Sequence, residues 1–159
     1  MESTTVSVTP ELWVGLHELF AELAAAGDRH DVARYVACFT EDAFVDHHGD
    51  VDLDNYWRGY VLSRHEGHDG ITRHRENVPA LPTRSHLLSN LRILSASASV
   101  TWTEQVVTVV TPDRSLPPVL RMATYRDKVV RLDDGRSLIA ERHIHFHLPG
   151  KLPFHGLPE

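Results

Sequence analysis

The sequence predicts an α+β fold, on two observations. Apolar residues recur at helical spacing in the first part of the chain. From Ser85 onward it turns to strand-like runs rich in Val, Ile, Leu and Thr. With helices first and strands later, about three N-terminal helices are expected on one face of an antiparallel sheet. A length of 159 residues, with no internal repeat or linker, fits one domain over 1–148. Residues 149–159 form a tail too rich in proline and glycine for regular structure.

The first helix starts at Thr9-Pro10-Glu11, where a capping hydroxyl precedes a first-turn proline and an acid at the positive helix end. Leu12, Leu16, Leu19, Phe20 and Leu23 form its apolar face, and Gly27 suits its stop. Asp28 or Asp31 caps a shorter second helix carrying Val32, Tyr35, Val36 and Phe39. Ala43 to His47 reads as a short strand. Leu53 to about Arg64 reads as a third helix, with Leu53, Trp57, Tyr60 and Val61 on one side. His65 to Thr83, with two prolines and two glycines, reads as a long polar loop. Four strands follow at Ser85–Leu94, Val100–Val110, Leu120–Leu132 and Ser137–Leu148, separated by turn-forming segments.

A formal charge of −6 without any basic stripe argues against a nucleic-acid partner. The single cysteine, Cys38, excludes an internal disulfide. The N-terminal residues have neither a basic start nor a long apolar run, so no signal peptide or membrane anchor is expected, and a cytoplasmic location follows. Histidine is the unusual residue, at twelve. It clusters at His47-His48, at His65, His68 and His74, and at His143, His145 and His147.

Four phrases carry a family resemblance: Phe39-Thr-Glu-Asp-Ala43, His86-Leu-Leu-Ser-Asn-Leu-Arg92, Tyr125-Arg-Asp127 and Asp134-Gly-Arg-Ser-Leu-Ile-Ala-Glu-Arg142. With the order of elements, they make the chain resemble the SnoaL-like branch of the nuclear transport factor two-like superfamily, from residue 12 to about 147. The resemblance implies a cone-shaped fold, with the helices closing over a strongly curved antiparallel sheet and an apolar pocket between them, and a homodimer paired through the convex face of the sheet. It places Asp28 and His86 where scytalone dehydratase and lindane dehydrochlorinase carry a catalytic aspartate and histidine. It places Arg142 near an active-site arginine, and His47 where scytalone dehydratase has a tyrosine that holds the substrate water. Gly27, Leu23 and Thr108 depart from those enzymes at substrate-specific positions, so neither substrate carries over.

The residues fit that chemistry on their own terms. A neutral imidazole is an adequate base at pH 7, and a carboxylate on its other nitrogen fixes the tautomer. His86 and Asp28 would fill these roles; otherwise Asp28 is a helix cap and His86 a strand histidine bonded to a carbonyl. Alternation on the last strand places Arg142 with Leu138, Ala140, Ile144 and Phe146, an apolar face on which an arginine needs an anion or a route to water. Tyr125 and Asp127 share a face, either lining the pocket or making structural hydrogen bonds. Phe20, His47, Tyr125 and Trp57 are the expected substrate contacts; Trp13 and Trp102 are expected in the core or pocket wall.

The reading is cofactor-free acid–base catalysis, by dehydration, isomerisation or cyclisation, on a small hydrophobic cyclic carbonyl or hydroxyl compound, in which His86 takes the proton, Asp28 holds His86, Arg142 or Tyr125 stabilises the oxyanion and His47 supplies or receives a second proton, with no metal assigned. Two alternatives stand beside it. One is a non-catalytic ligand-binding protein or partner subunit, like the small subunit of aromatic-ring dioxygenases. The other is a metal-dependent enzyme using the row His143, His145 and His147, which is otherwise expected to face solvent or a dimer partner. Phe154 is expected to anchor the tail across the pocket entrance or on the partner.

Overall fold

The computed structural model describes residues 8–48, 61–78, 80, 84–111 and 119–147. Trp57, the first part of the expected third helix and the tail 149–159 lie outside the described residues.

Helix α1, Pro10–Asp28, begins where Thr9 accepts from the Leu12 N–H at 3.2 Å. Its apolar stripe buries Leu16, Leu19, Phe20 and Leu23. The stop lies beyond Gly27: the helix runs through Asp28, and the reversal is taken up by His30 at φ +55°. Asp31 caps helix α2, Val32–Val36, by accepting from the Arg34 N–H at 3.1 Å. Strand β1, Phe39–His48, is longer than expected at its N-terminal end.

Residues 61–64, expected in a helix, belong to strand β2, Val61–Glu66, which pairs antiparallel with β1. The expected loop after it holds helix α3, Gly67–Asn77. Gly67, at φ +64°, makes the sharp turn between them, and a Cβ there would meet the Glu41 carbonyl at 3.4 Å. Of its side chains α3 buries chiefly Ile71 and Arg75, so it carries too few apolar residues to show a period.

Strands β3 (Ser85–Ala96), β4 (Val100–Thr111), β5 (Val119–Arg131) and β6 (Ser137–Phe146) complete a six-stranded sheet of order β2-β1-β6-β5-β4-β3. It is mixed rather than purely antiparallel, because β1 lies parallel to β6. Bulges give it curvature. Between Ser89 and Arg92 the register shifts around Asn90, at φ +54°, so His86 and Leu88 face the cavity while Leu91 and Ile93 still reach the core. A second shift, where Lys128 pairs with Glu141 but Val129 with Ile139, breaks the alternation expected for β6. Ile139, expected on the face opposite Arg142, therefore joins the core with Phe39, Val129 and Ile144.

The opposite face of the sheet is polar. Across the six strands the register places Arg92, Glu104, Arg126, His143, Asp46 and Arg64 side by side. Glu104 is held by Arg126 at 2.8 Å and Arg92 at 3.3 Å, and Asp46 by Arg64 at 2.6 Å. Cross-strand pairs of alternating sign stabilise a sheet face without apolar cover. Trp102 belongs here, stacked on His143, and Trp13 is 39 % exposed on α1, so neither lies in the buried core cluster or the cavity wall.

Candidate active site

The inner face of the sheet and helices α1, α2 and α3 enclose a cavity of about 540 Å³. That volume suits a small organic ligand. Its wall is mostly apolar, with Phe20, Leu23, Val107, Ile144 and Phe146 among the lining residues. A few polar groups converge on it: His86, Gln105, Tyr125, Arg142, His47, His74, Arg75 and Arg84.

Asp28 and His86, 58 residues apart in sequence, meet at the cavity wall. The His86 Nδ1 lies 2.5 Å from Asp28 Oδ1, and the His86 backbone N–H donates to both carboxylate oxygens at 3.1 Å. Asp28 ends α1, where the helix dipole presents its negative pole and disfavours a carboxylate. The two donors of His86 offset that cost. With Asp28 accepting from Nδ1–H, Nε2 is the unprotonated nitrogen of a ring that lines the cavity. Burial lowers the His86 pKa below its ordinary value. Asp28 opposes the shift, and Arg75 and Arg84 reinforce it. The imidazole is therefore neutral at pH 7.

Arg142 finds its anion within the chain. Its Nε and Nη2 donate to the two Asp127 oxygens at 2.7 and 2.8 Å, and the two side chains are 3 % and 0 % exposed. Burial alone would weaken the guanidinium charge; the Asp127 carboxylate outweighs it and raises the pKa. The Arg142 guanidinium also lies 4.8 Å from the centre of the Tyr125 ring. Burial pushes the Tyr125 phenol up to about 12, so it remains a hydrogen-bond donor at any ordinary pH.

Among the polar groups in the wall that the sequence reading did not assign to the site are Arg75, Gln105 and Arg84. Arg75 of α3 donates to the Gly27 carbonyl at 3.1 Å, one residue before Asp28, and lies over the Tyr35 ring at 4.4 Å. Gln105 is 2 % exposed, and its Nε2 has no hydrogen-bond partner among the described residues. The inward alternation Thr101, Thr103, Gln105, Val107 on β4 is the signal that could have found it. Arg84 precedes the His86 strand and carried no signal of its own.

His47 packs in the cavity wall with His65 and His74, at ring-centre distances of 5.5 and 4.8 Å. Burial, with the neighbouring imidazoles, lowers His47 to about 3, and burial lowers His74 to about 4. The C-terminal row does not converge on one point. His143 faces Asp46, His145 stacks on His48 at 4.3 Å, and His147 lies 3.0 Å from the Thr124 hydroxyl. At 1 % exposure His145 faces neither solvent nor an open partner surface, contrary to the sequence expectation.

Among the described residues no helix is long and apolar enough to cross a membrane. The fold is similar to that of ActVI-ORFA from Streptomyces coelicolor, at 22 % identity over 86 % of this chain and 98 % of that one, with a TM-score of 0.70. It is similar to a candidate scytalone dehydratase from Novosphingobium aromaticivorans, at 20 % identity over 86 % and 84 %, TM-score 0.67. The beta subunit of a candidate aromatic-ring-hydroxylating dioxygenase from the same organism matches at 13 % identity over 84 % and 87 %, TM-score 0.69. No curated protein matches. At these identities the structural likenesses speak for the fold alone. The sequence profile of the SnoaL-like domain reaches further, matching residues 14–143, from within α1 to the middle of β6, and the chain belongs to that family.

Proposed function

We propose that the cavity carries out cofactor-free acid–base catalysis on a small hydrophobic, cyclic carbonyl or hydroxyl compound. The observation that carries this is the orientation of His86. Asp28 holds both its ring and its backbone N–H, leaving Nε2 as a neutral base in an apolar cavity. His86 Nε2 takes a proton from the carbon beside the carbonyl, and the electron pair moves onto the carbonyl oxygen. The Gln105 amide and the Tyr125 phenol are the nearby donors suited to that oxyanion. Arg142, paired to Asp127, adds a fixed positive field beside Tyr125. In a dehydration the electron pair then returns to expel a β-hydroxyl, which takes the proton from the His86 imidazolium and leaves as water. In an isomerisation the same proton returns at another carbon. His47, Phe20 and Trp57 complete the expected substrate contacts; Trp57 lies outside the described residues.

The test is proton exchange in deuterium oxide. A bicyclic aromatic ketone such as 1-tetralone should lose its α-proton signal faster with the protein than without it, as followed by proton NMR. Binding without any acceleration, across a panel of such ketones, would overturn the catalytic reading and leave a binding protein.

A homodimer belongs to the same reading. Leu87, Leu94 and Met122 are 55 %, 40 % and 45 % exposed. Leu87 and Leu94 lie on β3, which is one of the two edge strands of the sheet among the described residues. Exposed apolar side chains grouped near a strand edge call for cover. Sedimentation velocity should show a dimer of this chain alone. A monomer at all concentrations would refute this, and would favour the second reading, a subunit whose apolar surface is covered by a different protein.

A further inference from the structure

We propose that His47, His65 and His74 form a binding site for a divalent transition metal of zinc type in the wall of the cavity. The site is distinct from the C-terminal histidine row, and the inference does not rest on the proton-transfer reading.

The geometry is built from three regular elements. His47 on β1 and His65 on β2 are diagonal neighbours on one face, since Val45 pairs with His65 and His47 with Ser63. His74 comes in from α3, and its ring stacks on His65 at 4.0 Å between centres. One ring nitrogen from each residue lies within 4.8 Å of the other two. A tetrahedral zinc with bonds of about 2.0–2.1 Å needs its nitrogens roughly 3.3 Å apart and each ligated in its ring plane, so binding requires the stacked His65 and His74 rings to turn away from one another about the metal.

Two further observations point to a ligand. The Nε2 of His65 is buried and has no hydrogen-bond partner among the described residues. Such an atom costs free energy unless something meets it. The Ser63 hydroxyl lies 3.2 Å from His47 Nδ1, an outer partner of the kind that fixes which nitrogen a ligating histidine presents.

The donor set suits the metal class. Three imidazoles without a carboxylate favour zinc, copper, nickel or cobalt over magnesium or calcium. Asp46, the neighbouring acid on β1, pairs on the opposite face with Arg64 through both oxygens. For that reason the other convergent group, Asp46, His48 and His143, is read as part of the ion-paired outer face. Three protein ligands leave a fourth tetrahedral position. His47 and His74 line the same cavity as His86, so that position is open to water or to an oxygen of a bound ligand.

The experiment uses the full chain with no affinity tag, stripped by chelator. Calorimetric titration with zinc chloride should show one equivalent bound, and cobalt(II) should give the visible bands of a four-coordinate site. His65→Ala and His74→Ala should each weaken zinc by at least about tenfold, while His143→Ala leaves it unchanged. A crystal of the unaltered protein soaked in zinc should show anomalous density between the three rings, which keeps the test independent of how the variants fold. No stoichiometric zinc, or zinc held instead by Asp46, His48 and His143, overturns the proposal.

Discussion

Replacing His86 with alanine should slow α-proton exchange at the site by at least about a hundredfold, the usual scale for losing a positioned general base. The fold should survive. The His86 side chain, 15 % exposed, faces the cavity rather than the packed core, and its removal leaves the backbone N–H still donating to Asp28. Asp28→Asn should give a loss of similar order with little change in KM. The amide can still accept from that backbone N–H, but it no longer favours the tautomer with the proton on Nδ1. Exchange in His86→Ala within a few-fold of the unaltered protein would remove His86 from the mechanism.

The pH dependence of the same reaction has a fixed sign. The base form of His86 is the neutral one, and burial lowers its pKa below the ordinary value of 6.5. Activity should rise with pH through an apparent pKa below 6.5 and be flat by neutrality. An ion pair with Asp28 that dominated burial would raise the pKa instead and place the rise above 6.5.

The legible parts of the fold were those where local pattern and tertiary packing agree. The stripe Leu16, Leu19, Phe20, Leu23 wrote α1 into the sequence, and alternation wrote β4. The segment between β1 and β3 was not legible, for a physical reason. Helix α3 is anchored by one isoleucine, one buried arginine and a histidine stack, so its residues read as a polar loop. The turn that creates it depends on Gly67 at positive φ, which composition cannot distinguish from loop glycine. Bulges were equally silent. The shift between Lys128 and Val129 changed which side of β6 joins the core, although it left Arg142, Ile144 and Phe146 together on the cavity side as alternation had placed them. At the site, the meeting of Asp28 with His86 was expected from family positions. Alternation along β4 places Gln105 inward, but that its Nε2 lacks a partner among the described residues, and that His47, His65 and His74 converge, depends on three-dimensional neighbours that no spacing rule supplies.

Arg142 shows how a residue-level cost argument and a register combine. An arginine on an apolar strand face required an anion, and the β5–β6 register sets Asp127 directly opposite it. The resulting two-pronged pair is almost wholly removed from water. Asp127→Ala should therefore destabilise the protein by about 3–5 kcal/mol, because it strands a buried guanidinium with its desolvation uncompensated. The double replacement Asp127→Leu with Arg142→Met should recover most of that loss, since an apolar pair of similar volume avoids both desolvation costs. Chemical denaturation of the single and double variants reads both numbers. If the double variant is stable but exchanges α-protons more slowly, the pair serves the field around Tyr125 rather than the fold. If Asp127→Ala costs less than about 1 kcal/mol, the guanidinium has a second route to water and the pair is not the buried anchor that its geometry describes.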